Sequence, residues 1–347
     1  MPATIDDLID ALPKVELHVH LEGSMLPKTL LRLATKHHLE DLLPLLEDPA
    51  EWYRFRDFAH FVEVYLQAVR VLVDEEDFAG MTYDVAADLA RQNVRYAEVH
   101  VSLYNHLERG IDPRFVFAGI EHGRRRAEAE HGVVLRWIPD FAGHVGVEAG
   151  ERSLAATLTH APPSVVAFGV GGIEVDRAPF ADLFARAVAA GLHSVPHAGE
   201  TAGPEAVRAA VELLHAERIG HGIGAIGDRA LVDELIERRI PLDVSPTSNV
   251  RTRAVASIAE HPLPAMLDAG LLVTLNSDDP PMFGTDLTGE YQRAHEMGID
   301  AEGLAGLARN AVTAAFLDDA PRSTLYQEID VAVESWRTAS VAQGARP

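Results

Sequence analysis

Apolar, β-branched runs alternate along this chain with longer segments in which apolar residues return every three or four positions. That is the pattern of repeated βα units feeding a parallel sheet. The runs at 15–18, 94–101, 133–139, 165–170, 193–197, 218–220, 241–244 and 271–276 read as eight strands. Helical spacing occupies 180–190, 204–215, 228–238 and 264–269. Gly191 and Gly270 stand where a glycine closes a helix. Eight strands with eight crossovers predict an α/β fold, a (β/α)8 TIM barrel, with its chemistry at the C-terminal ends of the strands.

Residues 19–93 separate the first two strands, whereas a simple βα unit spans about 30 residues. The middle of that connection, 52–73, reads as helix, and the segment about 40–80 predicts either a helical lid over the pocket or an extra packing pair. Its aromatic residues Trp52, Tyr53, Phe55, Phe58 and Phe61 either line a cavity or form a small core of their own. No repeat or linker divides the chain, so one domain is expected over 1–340, followed by a disordered tail at 341–347.

The length of 347 residues suits one such barrel and buries a large core. Thirty basic against 53 acidic residues leave a net charge of -23, which repels nucleic acid and anionic lipid. The run Arg124-Arg125-Arg126 reads as a solvated helix face. With no basic n-region and apolar h-region at the N-terminus, and no apolar run of ~18 residues, the expectation is a cytoplasmic protein without membrane contact. The absence of cysteine excludes disulfides, thiol nucleophiles and thiolate metal sites. Oligomeric state leaves no mark on the pattern.

Against that background, four segments at strand ends carry the groups of a metal hydrolase. Residues two apart on a strand project to one side, so His18 and His20 can aim both imidazoles at one point. Among 17 histidines such pairs are common, and His37-His38 is another; His18 differs in the apolar run before it and the Leu21-Glu22-Gly23 loop after it. His197 ends the fifth strand and Asp278 follows the eighth. Three imidazoles and a carboxylate leave a position for water and suit zinc better than magnesium or calcium. A single ion is expected, because the only lysines are Lys14, Lys28 and Lys36, and none lies on the fourth strand to bridge a second metal. His221 and Asp279 stand beside these groups as candidate base and water-orienter, or else as a core histidine and a turn carboxylate. Glu200, three residues past His197 across a glycine, is a candidate general acid or a helix-start glutamate.

The set Glu16-Leu17-His18-Val19-His20-Leu21-Glu22-Gly23, Pro196-His197-Ala198-Gly199-Glu200, Arg218-Ile219-Gly220-His221-Gly222 and Asn276-Ser277-Asp278-Asp279-Pro280 resembles the adenosine deaminase family of the amidohydrolase superfamily, over about residues 10–335. The resemblance implies one Zn2+ per subunit on His18, His20, His197 and Asp278. It implies that Glu200 protonates purine N1, that His221 deprotonates or orients the attacking water, and that Asp279 binds that water or N7. Gly172 would face N3 through its backbone. The partner is then a small purine nucleoside that loses its 6-amino group.

Departures from the family pattern bear on which nucleoside. Adenosine deaminases proper typically carry Asp, reaching the ribose end, where this chain has Glu22. Adenine deaminases share the Glu, but their fourth-strand segment usually runs Asp-Ser-Ser-Glu instead of Gly171-Gly172-Ile173-Glu174. The combination looks most like a branch that deaminates 6-amino-6-deoxyfutalosine in a route to menaquinone, with adenosine and then adenine as alternatives. The carboxyphenyl tail of that substrate would want a cation and an aromatic wall, for which Arg56, His60, Phe61 and Arg70 are candidates. A non-catalytic binding protein or another metal hydrolase on the same barrel is the alternative class.

Overall fold

Eight strand positions run parallel around a closed ring in the computed structural model, which describes the backbone of residues 3–344 and the side chains of 3–340. They are β1 (Lys14–His20), β2 (Val94–Val101), β3 (Val134–Pro139), β4 (Ala167–Phe168), β5 in two pieces (His193–Ser194 and His197–Ala198), β6 (Ile219–His221), β7 (Leu242–Val244) and β8 (Val273–Leu275). β1 pairs with β2 and β2 with β3. Bridges Trp137 to Val165 and Ala142 to Gly171 carry the ring to β4, and β4 pairs with the first piece of β5. The second piece pairs with β6, β6 with β7 and β7 with β8. A bridge from Asp278 to Val19 closes the ring onto β1.

The alternation of β1 explains why a barrel forms. Val15, Leu17 and Val19 are 0–1 % exposed and join the main core, while Glu16, His18 and His20 face the barrel axis. Two strands are shorter than their apolar runs. β5 breaks at Val195-Pro196 because proline has no N–H to give the ladder. In the glycine-rich continuation of β4, Gly169 and Gly171 still donate to Pro139 and Phe141, without forming regular strand. Gly191 and Gly270 both hold φ near +90°, as expected past a helix end.

The connection after β1 is helical but not one helix over 52–73. The short helix Pro49–Trp52 stops, and the Asp57 carboxylate then accepts from His60 N–H to start a separate helix, Phe58–Ala68. Its aromatics divide between the pocket and the main core of the barrel, and form no separate core of their own. Phe58 and Phe61 line the pocket, whereas Trp52 stacks on Tyr53 and Phe55 packs against Phe283. At the other end, the helix Asp319–Gly344 continues through 341–344, where a disordered tail was expected; 345–347 lie outside the described residues. No helix among the described residues is long and apolar enough to cross a membrane.

Across the barrel interior, fully buried Arg218 reaches Asp243 with Nε and Glu98 with Nη2, each at 2.6 Å. Its Nη1 donates to Ala314 O, and the guanidinium lies 4.6 Å from the Phe316 ring centroid. Removing one partner from such a set strands the others without solvent. Arg218→Met is therefore expected to lower the unfolding free energy by ~3–5 kcal/mol in urea melts. A loss below ~1 kcal/mol would mean that the two carboxyls simply take up protons.

Candidate active site

The barrel geometry brings four imidazoles and three carboxyls to the C-terminal mouth. His18 and His20 end β1, His197 opens the second piece of β5, His221 ends β6 and Asp278 follows β8. His20 Nε2 lies 3.2 Å from His197 Nε2 and 3.3 Å from Asp278 Oδ1, and His18 Nε2 lies 3.5 Å from that same oxygen. Neither nitrogen of buried His18 has a hydrogen-bond partner. Donor spacings of 3.2–3.5 Å are those across a tetrahedron with bonds of about 2.0–2.1 Å, so these residues fit a divalent cation.

The electrostatics agree with that fit. Burial and the surrounding imidazoles hold His18 and His197 well below the ordinary histidine range, leaving neutral rings with free lone pairs. Burial alone would raise Asp278, but the His18 ring 3.5 Å away and the other nearby imidazoles outweigh this and hold it below the usual carboxylate range. Glu200 behaves oppositely: burial, opposed by His221, pushes it up to about 7. Asp279 is likewise raised well above its ordinary value, first by burial and then by neighbouring Asp278.

Local backbone conformation sets these positions at a cost. His221 and Asp278 both adopt left-handed φ, +62° and +66°, an unfavourable state for residues with a Cβ that is typical of functional sites. Two glycines of the motifs exist because something else occupies their side-chain space. A Cβ on Gly220 would meet His18 Cε1 at 2.5 Å, and one on Gly23 would meet Asp279 Oδ1 at 1.6 Å.

A layer of residues not singled out from the sequence holds the site. The helix Pro246–Arg251 supplies Ser248, whose hydroxyl donates to Asp278 Oδ2 at 2.6 Å, and Asn249, 3.2 Å from His221 Nδ1. Just past it, the Thr252 hydroxyl donates to Glu200 Oε1 at 3.0 Å. The Glu174 carboxylate accepts from the backbone N–H groups of Gly199, Glu200, Thr201 and Ala202, and Arg177 Nη2 donates to His197 O. Asp140, below His20, bonds His100 Nδ1 at 3.1 Å. Glu174 belongs to the Gly-Gly-Ile-Glu segment, and Ser-Pro-Thr-Ser-Asn after the seventh strand is the one sequence signal for the helix; neither says which atom it would touch.

The pocket above these groups encloses about 850 Å³ including its open mouth. His20, His197, Glu200, His221, Asp278, Asp279, Gly172 and Phe61 all line it. Arg56, His60 and Arg70 do not. Arg56 is an exposed residue beside Glu63, Arg70 pairs with Asp41 at 2.6 Å, and His60 accepts from Arg56 N–H. The apolar face of Phe58–Ala68 turns inward, so its charged neighbours are left in solvent. Glu22 is also outside the lining: fully buried, it accepts from His106 Nε2 at 2.7 Å, Tyr65 Oη at 3.2 Å and Ser102 N at 3.3 Å. The expectation that it meets the substrate directly is thereby corrected.

With this geometry in view, residues 13–332 match the adenosine deaminase family. The chain is 48% identical to an aminodeoxyfutalosine deaminase of Streptomyces avermitilis over 337 residues, covering 96% of this chain and 94% of the relative. An adenine deaminase structure from Arthrobacter aurescens superposes with a TM-score of 0.89 at 33% identity, covering 93% of this chain and 99% of its own. A Zn-containing amidohydrolase from Burkholderia ambifaria gives 0.87 at 25% identity, covering 96% and 94%. The chain belongs to the adenosine deaminase family of the amidohydrolase superfamily, hydrolases of C–N bonds in cyclic amidines.

Proposed function

We propose that this enzyme removes the 6-amino group of an adenine nucleoside as ammonia, using one zinc per subunit held by His18, His20, His197 and Asp278, and that the nucleoside is 6-amino-6-deoxyfutalosine. The observation that carries the reading is the meeting, in one pocket, of partnerless buried imidazole nitrogens with a carboxyl, Glu200, raised to about 7. Other buried carboxyls are raised too, but Glu16 and Asp243 are tied up in structural contacts, whereas Glu200 lines the pocket beside the candidate ligands, where an acid can reach a bound ring.

Zinc bound there lowers the pKa of a water from ~15.7 towards ~7. The purine lies with C6 over the metal ligands, N1 at Glu200, N3 at the Gly172 backbone and N7 at Asp279. Raised by burial and by Asp278, Asp279 keeps a proton to donate to N7. Glu200 protonates N1 as oxygen adds to C6, which breaks the ring's aromaticity and makes C6 tetrahedral. His221, with Nε2 3.6 Å from Glu200 Oε2 and 3.8 Å from Asp278 Oδ2, faces the attacking oxygen as its base or its orienter. Departure of ammonia leaves a hypoxanthine-type ring.

The choice of nucleoside is supported by 48% identity to an aminodeoxyfutalosine deaminase, against 38% to an adenine deaminase of Streptomyces coelicolor. An outer pocket walled by Phe58, Phe61, Val62, Leu66 and Phe141 suits an aryl tail. Offered equimolar adenine, adenosine, deoxyadenosine and aminodeoxyfutalosine, the enzyme is expected to show its highest kcat/KM on the last, followed by the adenine-to-hypoxanthine absorbance change. Preference for free adenine by ~100-fold, ~2.7 kcal/mol at the transition state, would refute the nucleoside reading.

Glu200→Gln is expected to fold and retain metal while kcat falls by ~10²–10⁴-fold. In the wild type the acid is protonated below its pKa, so kcat/KM should decline as pH rises through about 7. The charge of a bound cation moves that decline toward lower pH. Near-normal turnover in the variant removes Glu200 from the mechanism. Chelator dialysis should abolish turnover and lower Tm, and one equivalent of Zn2+ per subunit should restore both. Full recovery only at two equivalents contradicts the single site.

A further inference from the structure

A chain of hydrogen bonds leads from a backbone N–H to His221, and its direction can be read from one end. The backbone N–H of Leu263 donates to His261 Nδ1 at 3.1 Å. A backbone amide can only donate, so Nδ1 of His261 is the acceptor nitrogen and the proton of the neutral ring sits on Nε2. Burial and His221 push His261 down to about 4, so the ring is neutral at physiological pH. His261 Nε2 faces Asn249 Oδ1 at 3.1 Å. An N–H there requires the oxygen, not the nitrogen, of the amide to face it, and this fixes which way Asn249 points. The Asn249 amide nitrogen, which can only donate, then lies 3.2 Å from His221 Nδ1. Asn249 is fully buried and His261 is 5 % exposed, so no water competes for these positions.

We infer that this relay, Leu263 N–H to His261 to Asn249, sets the tautomer of His221, so that its neutral ring presents Nε2–H to the pocket and donates a hydrogen bond to the attacking oxygen instead of removing its proton. The inference rests on the deaminase reading and decides the role left open there. Nδ1 of His221 is occupied as an acceptor, and the other nitrogen, carrying hydrogen, has no lone pair with which to act as a base. The fixed N–H is aimed where negative charge develops on oxygen.

Proton balance then falls to Glu200, 3.6 Å from His221 Nε2. As the oxygen lone pair forms the bond to C6, the C6–N1 π pair moves to N1. The proton that the water loses reaches N1 through the Glu200 carboxyl. When the C6–N6 bond breaks, the C6–O bond becomes a carbonyl, and the second water proton passes through Glu200 to the amine, which leaves as ammonia. Water supplies both protons, and His221 begins and ends neutral.

Asn249→Asp tests this directly, because it keeps the shape but replaces the donor with an acceptor. It should turn His221 over to the Nδ1–H tautomer, since a carboxylate accepts from Nδ1. In 15N-histidine-labelled zinc enzyme, long-range 15N–1H correlations, with the His221 signals assigned by their loss in His221→Asn, should show Nε2–H in the wild type and Nδ1–H in Asn249→Asp. Asn249→Asp should lose ~100-fold in kcat with KM changed less than ~3-fold and zinc content unchanged. A base at His221 would instead be strengthened by the aspartate, so an Asn249→Asp kcat within ~3-fold of wild type overturns the proposal. So does an Nδ1–H signal in the wild type, a measurement that needs no variant at position 249. A wild-type zinc enzyme inert toward every adenine compound sinks the deaminase reading alone, because the tautomer is read independently of turnover.

Discussion

The seam between the first and last strands is the constraint on which the rest of this molecule depends. The N–H of His20 donates to Asp278 O at 2.9 Å, and the N–H of Asp278 donates back to His18 O at 3.0 Å. These bonds close the barrel, and the same residues present the candidate ligands, so ring closure and site assembly are one event. Side chains extend the seam where the backbone ladder stops. The Asn276 amide oxygen accepts from Leu17 N and His18 N, while Glu16 Oε1 accepts from both the N–H and the hydroxyl of Ser277. The residues of Asn-Ser-Asp-Asp thus divide the work: two bind the strands together, one joins the imidazoles and one turns to the pocket. The left-handed φ of Asp278 is the strain that this dual use imposes.

Around the seam, Asp278, His221 and Glu200 are held from the layer outside them. Glu174 satisfies four successive N–H groups of the 199–202 loop, which would otherwise be orphaned at the mouth of a pocket. Because one carboxylate accepts all four, the backbone carrying Glu200 has little freedom to move. Ser248, Asn249 and Thr252 reach Asp278, His221 and Glu200 from a single short stretch after β7, coupling three strand ends to one rigid element. In contrast, His18 has no partner for either nitrogen. Leaving buried nitrogens unpaired costs ~1–3 kcal/mol each, and a cation at this point would relieve the penalty at Nε2, the nitrogen beside Asp278.

The architecture was legible in the sequence wherever it depends on local alternation. Val94–Val101 matches the expected strand end for end, because β-branched and aromatic residues recur right through it, at Val94, Tyr96, Val99 and Val101. Pro196 was visible too, but its consequence, a split β5, depends on where its missing N–H would have pointed. The site was legible in part for the same reason: His-x-His on a strand implies a shared direction, and a strand end in a barrel implies a shared mouth. Distances between sequence-remote groups were not. Nothing local distinguishes Arg70, tied to Asp41 in solvent, from a guanidinium that lines a cavity. Nor does it show that Asn249 and His261 lie in one line with His221.

Glu22 shows how a motif position can keep its residue type and change its reach. Its two oxygens are spent on His106, Tyr65 and Ser102, and it is held well inside the protein; the bond to His106 overcomes the effect of burial and keeps its pKa low. A charged acceptor therefore does not face the pocket at this point. Tyr65 and Ser102, whose hydroxyls are bonded at 3.0 Å, are both in the lining, with Tyr65 carried by the helix Phe58–Ala68. The carboxylate consequently fastens that helix to the barrel one turn beyond Phe61, which meets Phe283 at 5.0 Å. Beneath the helix the lining therefore combines Tyr65, Ser102 and the aromatic faces of Phe58 and Phe61 with the Asp140 carboxyl, and Glu22 serves it only through Tyr65 and Ser102.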